Sequence, residues 1–468
     1  MIMPSSNPIP IQTNLVFRPA SGDQQNGSPK AVQYSKHKHS RSSYSESSPL
    51  TAVSRNNSLS FRPLKRSTPS PNKTIAIINA SGRQAASLIR IATAVGYKVR
   101  AQLRNLEGVT ATEVASNPNV TVFVGELYIR KTPDDKQDVT AHGDLPGILV
   151  DHDLITELFR GAQLAFINTT FYGNEIHIGQ VIADTAKKAG VQHYVYSSMP
   201  DHARYDSAWP SLPLWAAKHD VEEYVRGIGL PATFVYTGIY NNNFTSLLYP
   251  LFCMELKPDG SFEWQAPFHP DAKLPWLDAE HDVGPAILQL FKDGPTKWHG
   301  KRIALAYEYL TPLEVCRAFE RGVGRPVRYI RGPIEVKVKI PKGYREQLEA
   351  LERLFSPHNR DPSKQPPYFG DQALDSRCPD DALALWEGPR GLEEYAREIF
   401  PMEEEANGMT WMFGDECGFA CGSIGSTANI TECNGENEAN HEDDGDDESF
   451  DEGLVMRGLK RDEEDWLA

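Results

Sequence analysis

Residues 73–96 read KTIAIINASGRQAASLIRIATAVG, and the fold is decided here. Thr74, Ile75, Ala76, Ile77 and Ile78 form a short apolar, largely β-branched run, as in a strand covered on both faces. Asn79, Ala80, Ser81 and Gly82 follow with turn-forming side chains. From Arg83 the apolar positions take the helical period, through Ala85, Leu88, Ile89, Ala92 and Val95, until Gly96 stops the helix. Small residues at Asn79, Gly82 and Ala85 are three apart. That spacing suits a turn whose backbone approaches a pyrophosphate at a helix N-terminus.

Working outward, strand and helix patterns alternate to about residue 240. Strands are expected at 98–103, 120–124, 164–168, 191–197 and 232–237. Helices are expected at 110–116, 153–159 (capped by Asp151 or Asp153), 175–189 and 214–228. A polar insertion, 128–149, interrupts the series. Repeated β-α-β units give an α/β fold of the Rossmann type, a doubly wound parallel sheet. Ligands in such sheets sit past the carboxyl ends of the strands. Here those ends are 79–85, Arg104–Asn105, 169–171, 197–199 and 238–242.

The remaining chain divides by composition. Residues 73–243 form the expected NAD(P)-binding domain, and 244–355 a smaller α+β C-terminal lobe closing over the sheet edge. Within the lobe the patterns predict helices at 282–291 (capped by Asp282), 312–321 (capped by Thr311) and 343–355. Strands are predicted at 301–306, 327–330 and 336–340. A Pro-rich linker spans 356–379, and 380–413 docks on the body through residues such as Trp386, Leu392 and Phe400. Both ends read as disordered tails: a basic, Ser/Pro-rich arm over 1–72 and an acidic tail over 414–468. The arm reads as regulatory or nuclear-targeting, or simply as a solvated tail. The acidic run 442–452 reads as solvated, or as a polyanion mimic toward a basic partner.

The net charge of −15 over 468 residues argues against general affinity for nucleic acid. No run of 18 apolar residues occurs, and the first residues lack the basic-then-apolar pattern of a secretory signal. Cys253, Cys316, Cys378, Cys417, Cys421 and Cys433 have no disulfide-type spacing, which fits a reducing interior. Cys417, Cys421, Cys433 and His441 lie in a segment short of apolar residues, so no metal site is assigned there.

Two positions carry the chemistry. The second strand ends in Arg104 and Asn105 instead of an acid, and Arg104 would meet a 2′-phosphate, favouring NADP. Asn105 still offers a hydrogen bond to ribose, so NAD stays open. Ser197-Ser198 at a strand end, with Lys218 in the next helix, matches a reductase layout in which a Tyr four residues before the Lys is the general acid. That position is Leu214, which has no proton to give. Tyr196, Tyr205 and Tyr224 are the alternatives, none at the expected spacing.

Longer strings resemble a known family. They are NASGRQAAS (79–87), AFINTT (165–170), YSSMPDH (196–202), GIYNNNFTS (238–246), LPWLDAEHDVGP (274–285) and IPKGYREQLE (340–349). They are similar to the NmrA-like fungal regulators of nitrogen metabolite repression, atypical short-chain dehydrogenase/reductases that lack the catalytic Tyr. The resemblance covers roughly 73–355 and returns over 386–413. It implies a negative transcriptional regulator, in nucleus and cytoplasm, that binds NAD or NADP with the oxidised forms preferred. The implied partner is a GATA-type zinc-finger transcription factor, with no catalytic residue, direct nucleic-acid contact or membrane. It also implies Asn79, Ala80, Ser81, Gly82, Arg83 and Gln84 at the pyrophosphate and Arg104 on the adenosine side. Glu126 and Leu127 would lie near adenine and Thr169, Thr170 and Phe171 under ribose. Lys218 would hold the nicotinamide ribose, with Ile239, Tyr240, Asn241 and Asn242 around the nicotinamide. The alternatives are an NADPH-dependent reductase using Lys218 or another Tyr, and a scaffold that no longer binds nucleotide.

Overall fold

The computed structural model describes residues 14–16, 71–130, 148–171, 174–356 and 358–413. Thr74–Ile77 (β1) runs through Arg83–Ala94 (α1) to Lys98–Leu103 (β2), and Val109–Ser116 (α2) leads to Val120–Val124 (β3). His152–Phe159 (α3), capped by the Asp151 side chain, crosses to Leu164–Ile167 (β4). Glu175–Lys188 (α4), His193–Ser198 (β5), Pro213–Gly227 (α5) and Ala232–Thr237 (β6) follow. The strands lie in the order β3-β2-β1-β4-β5-β6, all parallel. The order reverses between β1 and β4, so the crevice opens past their carboxyl ends. The strands are nearly continuous apolar runs because helices cover both faces.

The chain then forms Ile239–Tyr240 (β7), Met254–Leu256 (β8), Phe262–Ala266 (β9), Leu274–Leu277 (β10) and Ala279–Asp293 (α6). Arg302–Leu305 (β11), Glu308–Leu310 (β12), Pro312–Val323 (α7), Val327–Arg331 (β13) and Lys342–Leu354 (α8) come next, and Leu392–Glu398 (α9) and Phe400–Ala406 (α10) end the described chain. Two small sheets, β7-β10-β12 and β8-β9-β13, build the lobe.

Several lobe expectations change. Residues 301–306 do not belong to the lobe: β11 pairs with β6 as the next parallel strand of the main sheet, burying Ile303, Ala304 and Leu305. α6 packs on α1 so closely that a Cβ on Gly284 would stand 2.4 Å from the Ser87 carbonyl oxygen. Its cap is Asp278, which accepts from the Glu280 and His281 amides, and Asp282 is a buried residue one turn inside. Residues 336–340 form no strand. They lie between Pro333 and Pro341, and Val336 and Val338 reach the core without a ladder partner. Segment 356–379 is packed chain, not a linker: Phe369 is buried, and the Asp375 carboxylate accepts from the Tyr368 and Phe369 amides at 2.9 and 2.8 Å.

The basic arm lies outside the described residues apart from Asn14–Val16, whose backbone adds a parallel strand beside β3, and residues 71 and 72. The acidic tail lies outside them from residue 414 on. The insertion begins and ends in an antiparallel pair, Tyr128–Arg130 with Ile148–Val150, and residues 131–147 lie outside the described residues. Among the described residues no helix is long and apolar enough to cross a membrane, and no cluster could hold a metal ion. The cysteines and histidine weighed for zinc lie outside the described residues.

Candidate functional site

The turn after β1 is built by backbone and amide groups. Asn79 adopts φ 48°, the left-handed region that Asn tolerates better than most residues. Its amide donates to Gln102 Oε1 at 2.9 Å and its Nδ2 to the Asn168 carbonyl at 2.8 Å. Gly82 donates back to the Asn79 carbonyl at 3.0 Å, where a Cβ would stand 3.3 Å from that oxygen. Gly82 is also the N-cap of α1 and supplies no side-chain cap. The first-turn amides thus face the crevice as a helix N-terminus does toward an anion.

One end of the crevice is a polar cavity of about 50 Å³ lined by Asn79, Arg104, Glu126, Leu127, Thr169 and Thr170, with Gln102, Tyr128 and Ile178. Asn105 is absent from it; its side chain accepts from the Glu107 amide at 2.9 Å in a local turn.

The other end is a chamber of about 120 Å³. Its polar groups include Gln84, Asn168, Ser197 and Lys218; its aromatic wall includes Trp215, Phe268, Tyr344 and Tyr368. Leu214 lines it, and its amide is held by Gln347 Oε1 at 3.0 Å from α8. Ser198 turns away to Glu222 at 2.8 Å. None of the three alternative tyrosines lines the chamber. Tyr196 is buried against Thr169 Oγ1 at 2.8 Å, Tyr205 lies by Arg302, and Tyr224 bonds Asp184 at 3.0 Å. Burial pushes the Tyr196 hydroxyl well above its ordinary range. Tyr240 does line the chamber, bonded to Gln84 Nε2, and burial pushes it up to about 12.

Lys218 ties the two ends together. Its ammonium donates to Asn168 Oδ1 at 3.3 Å, to the Thr169 carbonyl, and to Glu175 Oε1 at 3.1 Å. Gln84 Oε1, Glu175 Oε2, both amide atoms of Asn241 and Asn242 Nδ2 are buried without a protein hydrogen bond. Buried polar atoms are seldom left so. Among these residues Gln84 lines the chamber, beside the uncapped start of α1.

Arg83 points elsewhere. Its side chain is 7% exposed, and the guanidinium pairs with Glu280 at the start of α6 and with Glu403 on α10 at 3.2 Å. The neighbouring Glu404 is fully buried and accepts from Thr245 Oγ1 at 2.9 Å, the Ser246 amide at 3.1 Å, the Ser246 hydroxyl and Trp411 Nε1 at 3.2 Å. The C-terminal segment thus braces the turn with one carboxylate and the loop after β7 with the next.

Of the residues expected at the site, Asn79, Arg104, Glu126, Leu127, Thr169 and Thr170 meet in the polar cavity, and Gln84, Lys218, Ile239 and Tyr240 in the chamber. Ala80, Ser81 and Gly82 form the turn between them. Phe171, Asn241 and Asn242 line neither cavity; Phe171 stands beside Gly343, and Asn242 Oδ1 accepts from the Ala279 amide at 2.9 Å. Sequence reading missed Gln102 and Tyr128, which line the polar cavity. Gln102 alone carried a signal, as a polar residue inside a strand buried on both faces.

Residues 71–396 match the model of the NmrA-like family. The chain belongs to the NmrA-like family. It is 64% identical to the nitrogen metabolite repression protein nmr of Neurospora crassa, over 98% of this chain and all of that one. It is 53% identical to the nitrogen metabolite repression protein nmrA of Emericella nidulans, over 73% of this chain and 98% of that one. Crystal structures of NmrA, a negative transcriptional regulator, in complex with NAD and with NADP superpose with a TM-score of 0.65 at 55% identity, over 73% of this chain and 99% of theirs. More distant family members are named oxidoreductases, such as lnaB of Aspergillus flavus, 30% identical over 38% of this chain and 58% of that one.

Proposed function

We propose that this NmrA-like protein is a negative regulator of nitrogen-catabolic transcription that binds NAD or NADP without turning it over. It works by binding and inhibiting a GATA-type zinc-finger activator, and it resides in nucleus and cytoplasm. The adenosine half lies in the cavity of Arg104, Glu126 and Leu127. The pyrophosphate lies on the α1 amides, and the nicotinamide in the chamber of Ile239 and Tyr240, with Asn241 and Asn242 behind. The observation that carries the reading is Leu214, an aliphatic side chain at the chamber wall where a reductase needs a proton donor. The aromatic wall favours the cationic ring of the oxidised cofactor.

Calorimetric titration of the full chain with NAD, NADH, NADP and NADPH tests the reading. Tight binding of the oxidised forms alone, followed by binding of a GATA zinc-finger fragment, is the expected result. Preference for NADPH with turnover of a carbonyl or quinone substrate would replace it by the reductase reading, which the oxidoreductase relatives and the retained Lys218 favour.

A further inference from the structure

We infer that Glu175 is part of the dinucleotide site: its second carboxylate oxygen accepts a hydrogen bond from a hydroxyl of the ribose that Lys218 contacts. This rests on the dinucleotide reading above. Glu175 is the first residue of α4, and its side chain is 4% exposed. Oε1 accepts from Thr169 Oγ1 at 2.6 Å and Lys218 Nζ at 3.1 Å. Oε2 is equally buried and has no donor.

Counting protons shows what is missing. An ammonium has three protons, and those of Lys218 already go to Asn168 Oδ1, the Thr169 carbonyl and Glu175 Oε1. The cluster therefore has an acceptor to spare and no proton for it. Folding alone does not favour that state, because a buried carboxylate oxygen without a donor keeps its desolvation penalty. The fitting ligand brings a hydroxyl proton and accepts one in return. A single ribose hydroxyl does both. One hydroxyl donates to Glu175 Oε2 and accepts from Lys218, whose contact to Asn168 Oδ1 at 3.3 Å is the longest of its three and the first to yield. The position suits the linking part of a long ligand: Thr169 lines the polar cavity, Asn168 and Lys218 line the chamber, and Glu175, which lines neither, lies directly behind them with its carboxylate bridging Thr169 and Lys218, so that a turn of the carboxylate toward the crevice accompanies binding.

The test is a cycle between protein and ligand. The full chain and its Glu175→Gln variant are titrated with NAD and with NAD analogues lacking the 2′- or the 3′-hydroxyl of the nicotinamide ribose. A hydrogen bond to a charged group corresponds to roughly tenfold or more in affinity. The wild type is expected to bind one analogue about tenfold more weakly than NAD, and Glu175→Gln to bind NAD about tenfold more weakly and no longer distinguish the two. Glu175→Asp is expected to keep part of the discrimination, and it replaces the Gln variant if that one fails to fold. A merely structural Glu175 would weaken NAD and analogue by one factor and leave the discrimination intact, which would overturn the inference alone. Failure of the wild type to bind NAD would overturn the dinucleotide reading with it.

Discussion

Helix α5 serves two buried carboxylates that behave differently. Glu222 lies one turn beyond Lys218, and all its lone pairs have work: Oε1 accepts from Arg226 at 2.8 and 3.0 Å and from Arg302 at 2.7 Å, and Oε2 from Ser198 at 2.8 Å and Tyr236 at 2.9 Å. Glu175 meets the same helix through Lys218 and keeps one oxygen without a donor. A closed cluster costs little to keep buried and ties elements together; an open one is costly until something binds. The difference separates a group that holds the fold from a group that waits for a ligand, although both are acids buried against cations.

The largest expected effect tests the closed cluster. Glu222→Ala strands Arg226 and Arg302 and unsatisfies Ser198 and Tyr236, so urea unfolding should show a loss of about 3–5 kcal/mol. Its discrimination between NAD and the deoxy analogue should stay at the wild-type value. A stable Glu222→Ala protein with altered discrimination would break the comparison.

Next comes a variant that separates binding from stability. Gly82→Asp puts a carboxylate at the N-cap of α1, where Asp is a favourable cap. Thermal melts should show unchanged or higher stability. Dinucleotide affinity should fall about a hundredfold, equivalent to about 2.7 kcal/mol, because the new charge occupies the pyrophosphate position. Unchanged affinity by calorimetry would sink the assignment of the turn.

A smaller effect comes from the packing behind the turn. Gly284→Ala drives a methyl into the Ser87 backbone and disturbs the 2.9 Å bond from the Gly284 amide to Ser87 Oγ. A loss of about 1–3 kcal/mol is expected, read as a lower Tm. It should act on both ligands alike, which sharpens the contrast with Glu175.

The smallest effect is on pH. Burial pushes His193 and His202 down to about 4. Folding holds them neutral while the unfolded chain protonates near 6.5, so their contribution is full above pH 6.5 and is lost as pH falls toward 4. Burial pushes Asp282 and Asp375 up to about 6, and these work the other way, adding stability as pH falls through that value. His202→Gln should therefore show a shallower stability decline than wild type, by under about 1 kcal/mol at pH 6. An unchanged slope would show that His202 is not held neutral.

Much of the site was legible because it is local. The strand-turn-helix of 73–96 appears as expected, and the ends of β2, β4 and β6 supply part of the lining of the two cavities. Glu175 was not legible. At the start of a helix an acid is ordinary, since it favours the helix dipole, and nothing in the chain announces that it turns inward. Residues 301–306 read correctly as a strand, but alternation and β-branching say nothing about which sheet a strand joins.

The sequence by itself determined the β-α-β series, the small-residue turn, and the aliphatic side chain of Leu214 four residues before Lys218, because each depends on residue identity and on spacing within one or two elements. Tertiary structure decided the partners. Lys218 meets Glu175 from 43 residues away, and Arg83 meets Glu403 from 320. Periodicity reports which face of an element is buried; it does not report what lies opposite. Whether a buried charge is satisfied depends on distances of a few ångströms between chain segments that only the packed sheet and its lobe bring together.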